Sequence, residues 1–255
     1  MSKKKVCIIL PCYRVKHKIY DVYKKLINEK IDCLIFVDDN CPEKSVKYLE
    51  SRIKRNKKTQ FIFLKSNLGV GGATLKGFRS AYNQGFDIIV KFDSDGQHKI
   101  FDLKKIIKKL KDPKVDFCKG FRNLKLKSSF KRGMPLIRIF GASALTFISK
   151  ITTNNFSLKD VTNGLFGMKS GVLKEINLKN LKMDYFFEQD LIFRICLKRI
   201  KIHQINSEVI YSDETSSLNV LKSILPFLFY HLQNFIQKLI YQMVKKTITK
   251  RRIAK

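Results

Sequence analysis

No CxxC pair occurs among the six cysteines, so neither a zinc site nor a disulfide framework is expected, and a reducing cytosol suits the chain. Cys7, Cys33, Cys118 and Cys196 lie inside apolar runs and read as buried free thiols. No stretch offers the ~20 uninterrupted apolar residues of a membrane span. The apolar run 6–10 after MSKKK is too short for a signal-peptide core. Internal repeats and low-complexity linkers are lacking as well. Acid is scarce: 21 Asp and Glu stand against 52 Lys and Arg, a net charge of +31. Such an excess speaks about partners, whether nucleic acid, an anionic membrane surface or a phosphorylated substrate, and not about fold. A nucleic-acid-binding protein would concentrate those charges on one face with interleaved aromatics. Here they are spread along the chain, and no nucleic-acid partner is expected.

What is present suffices for a sizeable core: 44% of 255 residues are hydrophobic. Through the first half, apolar runs of strand length alternate with helical patterns. VCIIL (6–10), CLIFV (33–37), QFIFL (60–64) and FDIIVKF (86–92) read as buried strands, with helices expected near 18–29, 43–54, 72–84 and 100–110. The alternation predicts an α/β fold, a mainly parallel sheet covered by helices. Beyond residue 115, VDFCKGFR reads as a strand and a helix is expected between Pro135 and Ser149. DVTNGLFGM reads as a loop, YFFEQDLIFRICLKR (185–199) as an amphipathic helix capped by Asp184, and IKIHQI as a last strand. The expected division is a catalytic-type domain over 1–216 and an amphipathic, basic segment over 217–255.

Open parallel sheets bind ligands at the carboxyl ends of their strands. Three of the expected strands end in polar chemistry: PCYR, DDNCPE and DSDGQH. In the last, Asp93 and Asp95 are two residues apart in extended chain, so both carboxylates point to one side. Gly96 then lets the chain turn so that Gln97 reaches the same ion. Oxygen ligands of this kind suit Mg²⁺ or Mn²⁺ shared with substrate phosphates. A turn without metal is the plain alternative. A calcium loop is excluded, because Lys104 stands where its twelfth-position Glu belongs. Asp38 and Asp39 form a second acid pair, one suited to a base or ribose and the other to bracing its loop. NLGVGGATLKGFRSA (67–81) matches neither GxGxxG nor a P-loop and reads on its own as a close-packed helix start.

In their order, IILPCYR, IFVDDNCPEKS, SNLGVGGATLKGFRSA, VKFDSDGQH, KGFR, DVTNGLFGMKSGVL and YFFEQDLIFRI resemble the family-2 inverting glycosyltransferases, in particular the dolichol-phosphate mannose synthase-like branch. The likeness covers roughly the first 215 residues. It implies a GT-A, Rossmann-like fold, a nucleotide-diphospho-sugar donor and a divalent metal. By position, Pro11, Tyr13, Asp38, Asp39, Asp93 and Ser94 would line the donor site, and Asp93, Asp95 and Gln97 would hold the metal. An acceptor phosphate needs no general base, and Arg122, Arg132 and Arg138 would grip it. A hydroxyl acceptor does need one, with Glu188 the first candidate and Asp190 the second. Only one of the two should face the site, because residues two apart on a helix do not share a face. YSDETSSL (211–218) departs from the branch: Tyr211 and Ser217 stand where two phosphate-gripping cations are expected.

Leu221, Leu225, Leu228, Leu232, Phe235, Leu239 and Met243 recur at helical spacing, followed by the basic run KKTITKRRIAK. Phe227, Phe229 and Tyr230 widen that sector. The pattern suits a helix lying in an anionic membrane interface, or one packed on the domain. The expected function is therefore sugar transfer to a lipid-linked acceptor, polyprenyl phosphate or glycolipid, by a protein peripheral on the cytosolic membrane face. Transfer to a soluble hydroxyl acceptor is the alternative. A nucleotidyltransferase fits less well, since PCYRVKHK lacks the glycine such a loop requires.

Overall fold

The computed structural model describes residues 4–124, 135–176, 178, 181–209 and 220–253, the last helix by its backbone alone over 220–224 and 244–253. Seven strands, β1 (Val6–Cys12), β2 (Cys33–Asp38), β3 (Thr59–Phe63), β4 (Ile88–Lys91), β5 (Phe117–Phe121), β6 (Phe166–Lys169) and β7 (Ile202–Asn206), form one sheet in the order β3-β2-β1-β4-β6-β5-β7. All pairings are parallel except those of β6, which runs antiparallel to both β4 and β5. Around the sheet lie α1 (Ile19–Ile27), α2 (Ser45–Arg52), α3 (Gly69–Asn83), α4 (Ile100–Lys111), α5 (Leu136–Thr153), α6 (Ser170–Glu175), α7 (Phe187–Leu197) and α8 (Val220–Ile253).

The central strands are apolar at successive positions because both of their faces are covered. Ile8, Leu10, Leu34 and Phe36 pack with α1, α2 and α4 on one side. Cys7, Ile9, Ile35 and Val37 pack with α3, α6 and α7 on the other. The six cysteines are free thiols, five of them buried and Cys196 half-buried. Strands β1, β2 and β3 run outward to one edge, while β4 lies on the other side of β1. That reversal makes the crevice at the carboxyl ends of β1 and β4 the natural ligand site of this sheet.

The segment DVTNGLFGM, expected as a loop, contains the start of β6. Four residues, with a glycine inside and another just before, give too short an alternation to read as a strand. Helix α5 extends four residues past the expected end, to Thr153. It is also the one described helix long and apolar enough to cross a membrane by length and composition, with mean hydropathy 1.2 over 18 residues. Arg138 and Lys150 interrupt that run in the sequence.

Helix α8 packs on the domain, but not through its leucine stripe. Phe227 and Tyr230, read above as widening the stripe, face inward and are buried against Phe186, with ring centroids 4.4 and 5.1 Å away. His231 and Asn234 are buried beside them. Leu228, Leu232, Phe235, Leu239 and Met243 stay exposed. Leu221 and the basic run from Lys245 lie where no side chain is described.

Candidate functional site

At the end of β4 the side chain of Lys91 is 1% exposed, and its ammonium bridges two acids. Nζ lies 2.6 Å from Asp93 Oδ1 and 3.0 Å from Glu188 Oε1, and it donates to the Gly164 carbonyl at 3.3 Å. The other Asp93 oxygen lies 3.0 Å from His98 Nε2. Burial disfavours both charges, but their mutual attraction and the imidazole more than offset it. Asp93 is held well below the usual carboxylate range, and Lys91 above its ordinary value.

Gly164 closes this cluster from β6's side. A Cβ there would sit 2.3 Å from Asp93 Oδ2 and 2.8 Å from Lys91 Nζ. Any side chain there forces the charged ends of Asp93 and Lys91 to move, so the glycine leaves room for their close approach. A second ion cluster adjoins the first at the end of β5. The Arg122 guanidinium donates from Nε to Asp160 Oδ2 at 2.8 Å and from Nη2 to Asp160 Oδ1 at 3.2 Å and Thr162 Oγ1 at 2.6 Å. Lys119, buried in β5, donates to the Asp160 carbonyl. Burial pushes its ammonium down to about 8, against the attraction of Asp160 and Glu188. Lys91, Lys119 and Arg122 thus balance Asp93, Glu188 and Asp160 in a polar floor under the crevice.

Of the expected donor-site residues, the structure gathers most at the β1–β4 crevice. Ser94 donates its hydroxyl to the Pro11 carbonyl at 2.6 Å, tying the ends of β1 and β4 together. Tyr13 is exposed, with the Arg14 guanidinium 5.5 Å from its ring centroid. Asp38 and Asp39 are both buried and both brace loops. Asp38 Oδ1 accepts the Cys41 amide at 2.7 Å, and Asp39 Oδ1 accepts the Leu68 amide at 2.7 Å. Burial holds the Asp39 carboxyl above its ordinary value, with the loop amides pulling the other way. The glycine-rich segment is a close-packed helix start, as its composition suggested: Gly71 and Gly72 donate to the Met183 carbonyl at 2.7 and 3.1 Å.

Asp95 is half-buried in the turn after β4, where its Oδ1 accepts the Gln97 amide at 2.9 Å, and Gly96 takes φ 77°. Among the described residues no three His, Cys, Asp or Glu side chains are disposed to hold a metal by themselves. The turn supplies only a few hard oxygen donors, with Asp93 already drawn toward Lys91 and His98. A sparse oxygen set fits Mg²⁺ or Mn²⁺, which keep waters and take substrate phosphates as ligands.

On α7, Glu188 faces the site and Asp190 does not. Asp190 accepts the Lys182 amide at 2.9 Å and lies 3.2 Å from the Arg194 guanidinium. Asp184, expected as the helix cap, instead accepts the Phe186 amide at 2.9 Å one turn earlier; the helix begins at Phe187, and its N-cap is Phe186 without a side-chain cap. Arg138 is half-buried in the first turn of α5, while Arg132, Tyr211 and Ser217 lie outside the described residues. Lys91, His98, Lys119, Asp160 and Gly164 were not singled out in the sequence. A signal existed for Lys91: the i, i+2 rule that pairs Asp93 with Asp95 also pairs Lys91 with Asp93.

Similarity to known proteins follows the same residues. The glycosyl transferase family 2 model matches residues 7–177. The UDP-N-acetylglucosamine–dolichyl-phosphate N-acetylglucosaminyltransferase of Methanococcus voltae is 30% identical over 189 residues, covering 69% of this chain and 74% of that protein. An undecaprenyl-phosphate mannosyltransferase of Micrococcus luteus is 24% identical over 162 residues, covering 63% and 65%. In fold, the chain resembles glucosyl-3-phosphoglycerate synthase from Mycobacterium tuberculosis, solved with Mn²⁺ and UDP, at TM-score 0.66 and 13% identity over 92% of this chain and 80% of that one. The family match takes in β1 through β6, both acid pairs and the Lys91–Asp93–Gly164 cluster, which makes the chain a member of glycosyl transferase family 2 and a glycosyltransferase with a GT-A-like fold.

Proposed function

We propose that this enzyme transfers a sugar from a nucleotide-diphospho-sugar to a polyprenyl-phosphate acceptor at the cytosolic face of a membrane. The observation that carries the reading is the pairing of Glu188 with Lys91. The one expected base that faces the donor site serves as the counter-ion of a buried ammonium that also holds Asp93. An acceptor phosphate is already anionic and asks for no base, so this arrangement costs it nothing. Relatives whose names specify dolichyl-phosphate and undecaprenyl-phosphate support the same acceptor class.

In this reading Pro11, Tyr13, Asp38 and Asp39 border the nucleoside, and Ser94 fixes the ends of β1 and β4 on either side of it. Asp93, Asp95 and Gln97 would hold Mg²⁺ or Mn²⁺. That ion, when bound, neutralises charge on the departing nucleoside diphosphate. Lys91 and His98 fix the Asp93 carboxylate before substrate arrives, so little reorganisation remains at the moment of reaction. Arg122 lends positive charge to the acceptor side from a fork that Asp160 orients, with Arg138 and Arg132 as further cations. Residues 217–255 attach the enzyme to the bilayer.

The test combines purified protein, a panel of nucleotide sugars, Mg²⁺ or Mn²⁺, and either polyprenyl phosphate in vesicles or soluble hydroxyl acceptors. Transfer to the lipid phosphate that persists in Glu188→Gln is the expected result. Transfer confined to soluble hydroxyl acceptors, and abolished in a Glu188→Gln variant of normal thermal stability, overturns the phosphate reading and makes Glu188 the base.

A further inference from the structure

Strand β3 forms one edge of the sheet, with β2 as its neighbour. The Leu34 amide donates to the Lys58 carbonyl at 2.7 Å, and the Leu64 amide donates to the Asp38 carbonyl at 2.9 Å. Between them the register runs unbroken from Leu34 on Thr59 to Asp38 on Phe63, which fixes the direction of each peptide group. Lys58, Gln60, Ile62 and Leu64 face β2, so Thr59, Phe61 and Phe63 turn their amides and carbonyls outward. The Thr59 amide closes a turn on the Asn56 carbonyl at 3.4 Å, while those of Phe61 and Phe63 meet no partner among the described residues. Natural edges are blunted by a charge, a proline or a bulge. TQFIF has none of these. The side chains of the same three residues line a cavity of about 530 Å³, together with Ile53 from the end of α2. Phe61 rests on Phe36, with ring centroids 6.1 Å apart, and Phe63 is 43% exposed. Thr59 Oγ1 is buried without a hydrogen-bond partner. Peptide groups in need of partners and a largely apolar cavity thus lie along one edge.

We propose that the β3 edge docks an extended acidic segment of a partner protein, which adds a strand to the sheet and sets an apolar side chain into the cavity. Charge selects the partner. Lys54, Arg55, Lys57 and Lys65 are exposed at the two ends of the strand, and Glu50 is the one acid among the described residues lining the cavity. Lys58 spends its ammonium inward, on the carbonyls of Ile27 and Glu29, and does not contribute. Carboxylates flanking an apolar side chain complement such a rim. A second copy of this chain would bring the same cations to the edge, within a total charge of +31. A single-stranded nucleic acid matches the charge but has no main-chain ladder to offer Phe61 and Phe63. In the sheet, β2 and β1 separate β3 from the β4 acids, so a partner seated here leaves the catalytic crevice open.

The probes are octapeptides in which glutamate alternates with valine, leucine, phenylalanine or tyrosine, their lysine counterparts, and copies N-methylated at every second residue in either phase. Each is titrated calorimetrically against the full chain. A glutamate peptide is expected to bind on the order of 10-fold or more tighter than its lysine counterpart, and more weakly as salt rises. Methylation in the phase that removes the amides facing β3 should abolish binding, and methylation in the other phase should spare it. Arg55→Glu/Lys57→Glu, at exposed positions, should weaken binding on the order of 10-fold while nucleotide-sugar turnover stays unchanged. Phe63→Ser should weaken it comparably. Failure of every glutamate peptide to bind, or equal binding of the lysine set, overturns the proposal. Binding indifferent to both phases of methylation is adsorption through side chains and overturns the added strand. A single-stranded oligonucleotide of equal charge that binds as tightly and displaces the peptide makes nucleic acid the occupant. Concentration-dependent self-association that Phe63→Ser removes gives the edge to a second copy. Either of these last results also overturns the proposal.

Discussion

Replacing Lys91 by Met isolates the buried ammonium that joins the β4 acids to α7. The side chain is 1% exposed and touches two carboxylates, of which Glu188 is 13% and Asp93 25% exposed. Methionine fills a similar volume, so the loss is electrostatic: two acids keep their burial and lose the cation that offset it. Breaking a buried pair from one side costs about 3–5 kcal/mol. Partial exposure of both acids places this case at the lower end, ~3 kcal/mol. For a chain of this size each kcal/mol moves Tm by about 2–4 °C, so a fall of roughly 6–12 °C is expected. Salt should change it little, since the pair is shielded from solvent ions.

The assay is thermal unfolding of the parent, Lys91→Met, Glu188→Gln and the double variant, with nucleotide-sugar turnover measured alongside. Neutralising Glu188 removes one of the stranded charges, so the double variant should regain part of the loss. A coupling of about 0.5–3 kcal/mol is expected between residues in direct contact. Unfolding of Lys91→Met within about 2 °C of the parent with full turnover, or strict additivity in the cycle, would refute the clamp.

Three further outcomes follow from the same geometry. Asp95→Asn should lower transfer on the order of 10²-fold or more with unfolding unchanged if Asp95 is the hard-cation ligand proposed above, where leaving-group charge develops; near-normal turnover removes Asp95 from that role. Gly164→Ala puts a methyl group 2.3 Å from Asp93 Oδ2, and overpacking of this kind costs about 1–3 kcal/mol, so a lower Tm together with weakened metal-dependent binding of nucleoside diphosphates, tested as a panel by calorimetry, is expected, and unchanged binding counts against the close approach. Burial pushes His231 down to about 4 from 6.5, so the unfolded chain takes up the proton first as pH falls. Stability present above pH 6.5 is therefore lost between 6.5 and about 4, up to ~3 kcal/mol; His231→Phe should flatten that part of a Tm–pH curve, and an identical slope in both proteins refutes it.

How much of this was legible depended on whether the signal was local. VCIIL and CLIFV announced buried parallel strands because doubly covered strands need apolar residues at every position. The acid pairs were placed at strand ends by simple spacing. What stayed hidden needed the third dimension. Strand β6 enters the sheet antiparallel from a glycine-rich loop, and only pairing with β4 and β5 reveals four residues as a strand. Lys91 and Glu188 stand far apart in the chain, and no periodicity brings them together. Gly164 reads as a turn glycine until the carboxylate against it is seen. In α8 the apolar stripe was legible and its direction was not: helical spacing defines a face without saying whether protein or something else covers it.

The direction of that face bears on catalysis through α7. Phe186 and Glu188 are two residues apart at the start of one helix, so their side chains diverge. One enters the aromatic cluster of Tyr230 and Phe227 on α8, and the other reaches the ammonium that fixes Asp93. Asp190, one turn on from Phe186, anchors the same helix to the Lys182 amide, next to the Met183 carbonyl that receives the amides of Gly71 and Gly72. The segment 182–190 therefore touches the glycine-rich helix start, the β4 lysine that holds Asp93, and helix α8 at once. A shift of α8 large enough to disturb Phe186 has a short, packed route to the donor site, and the ion pair of Lys91 with Glu188 is its last link.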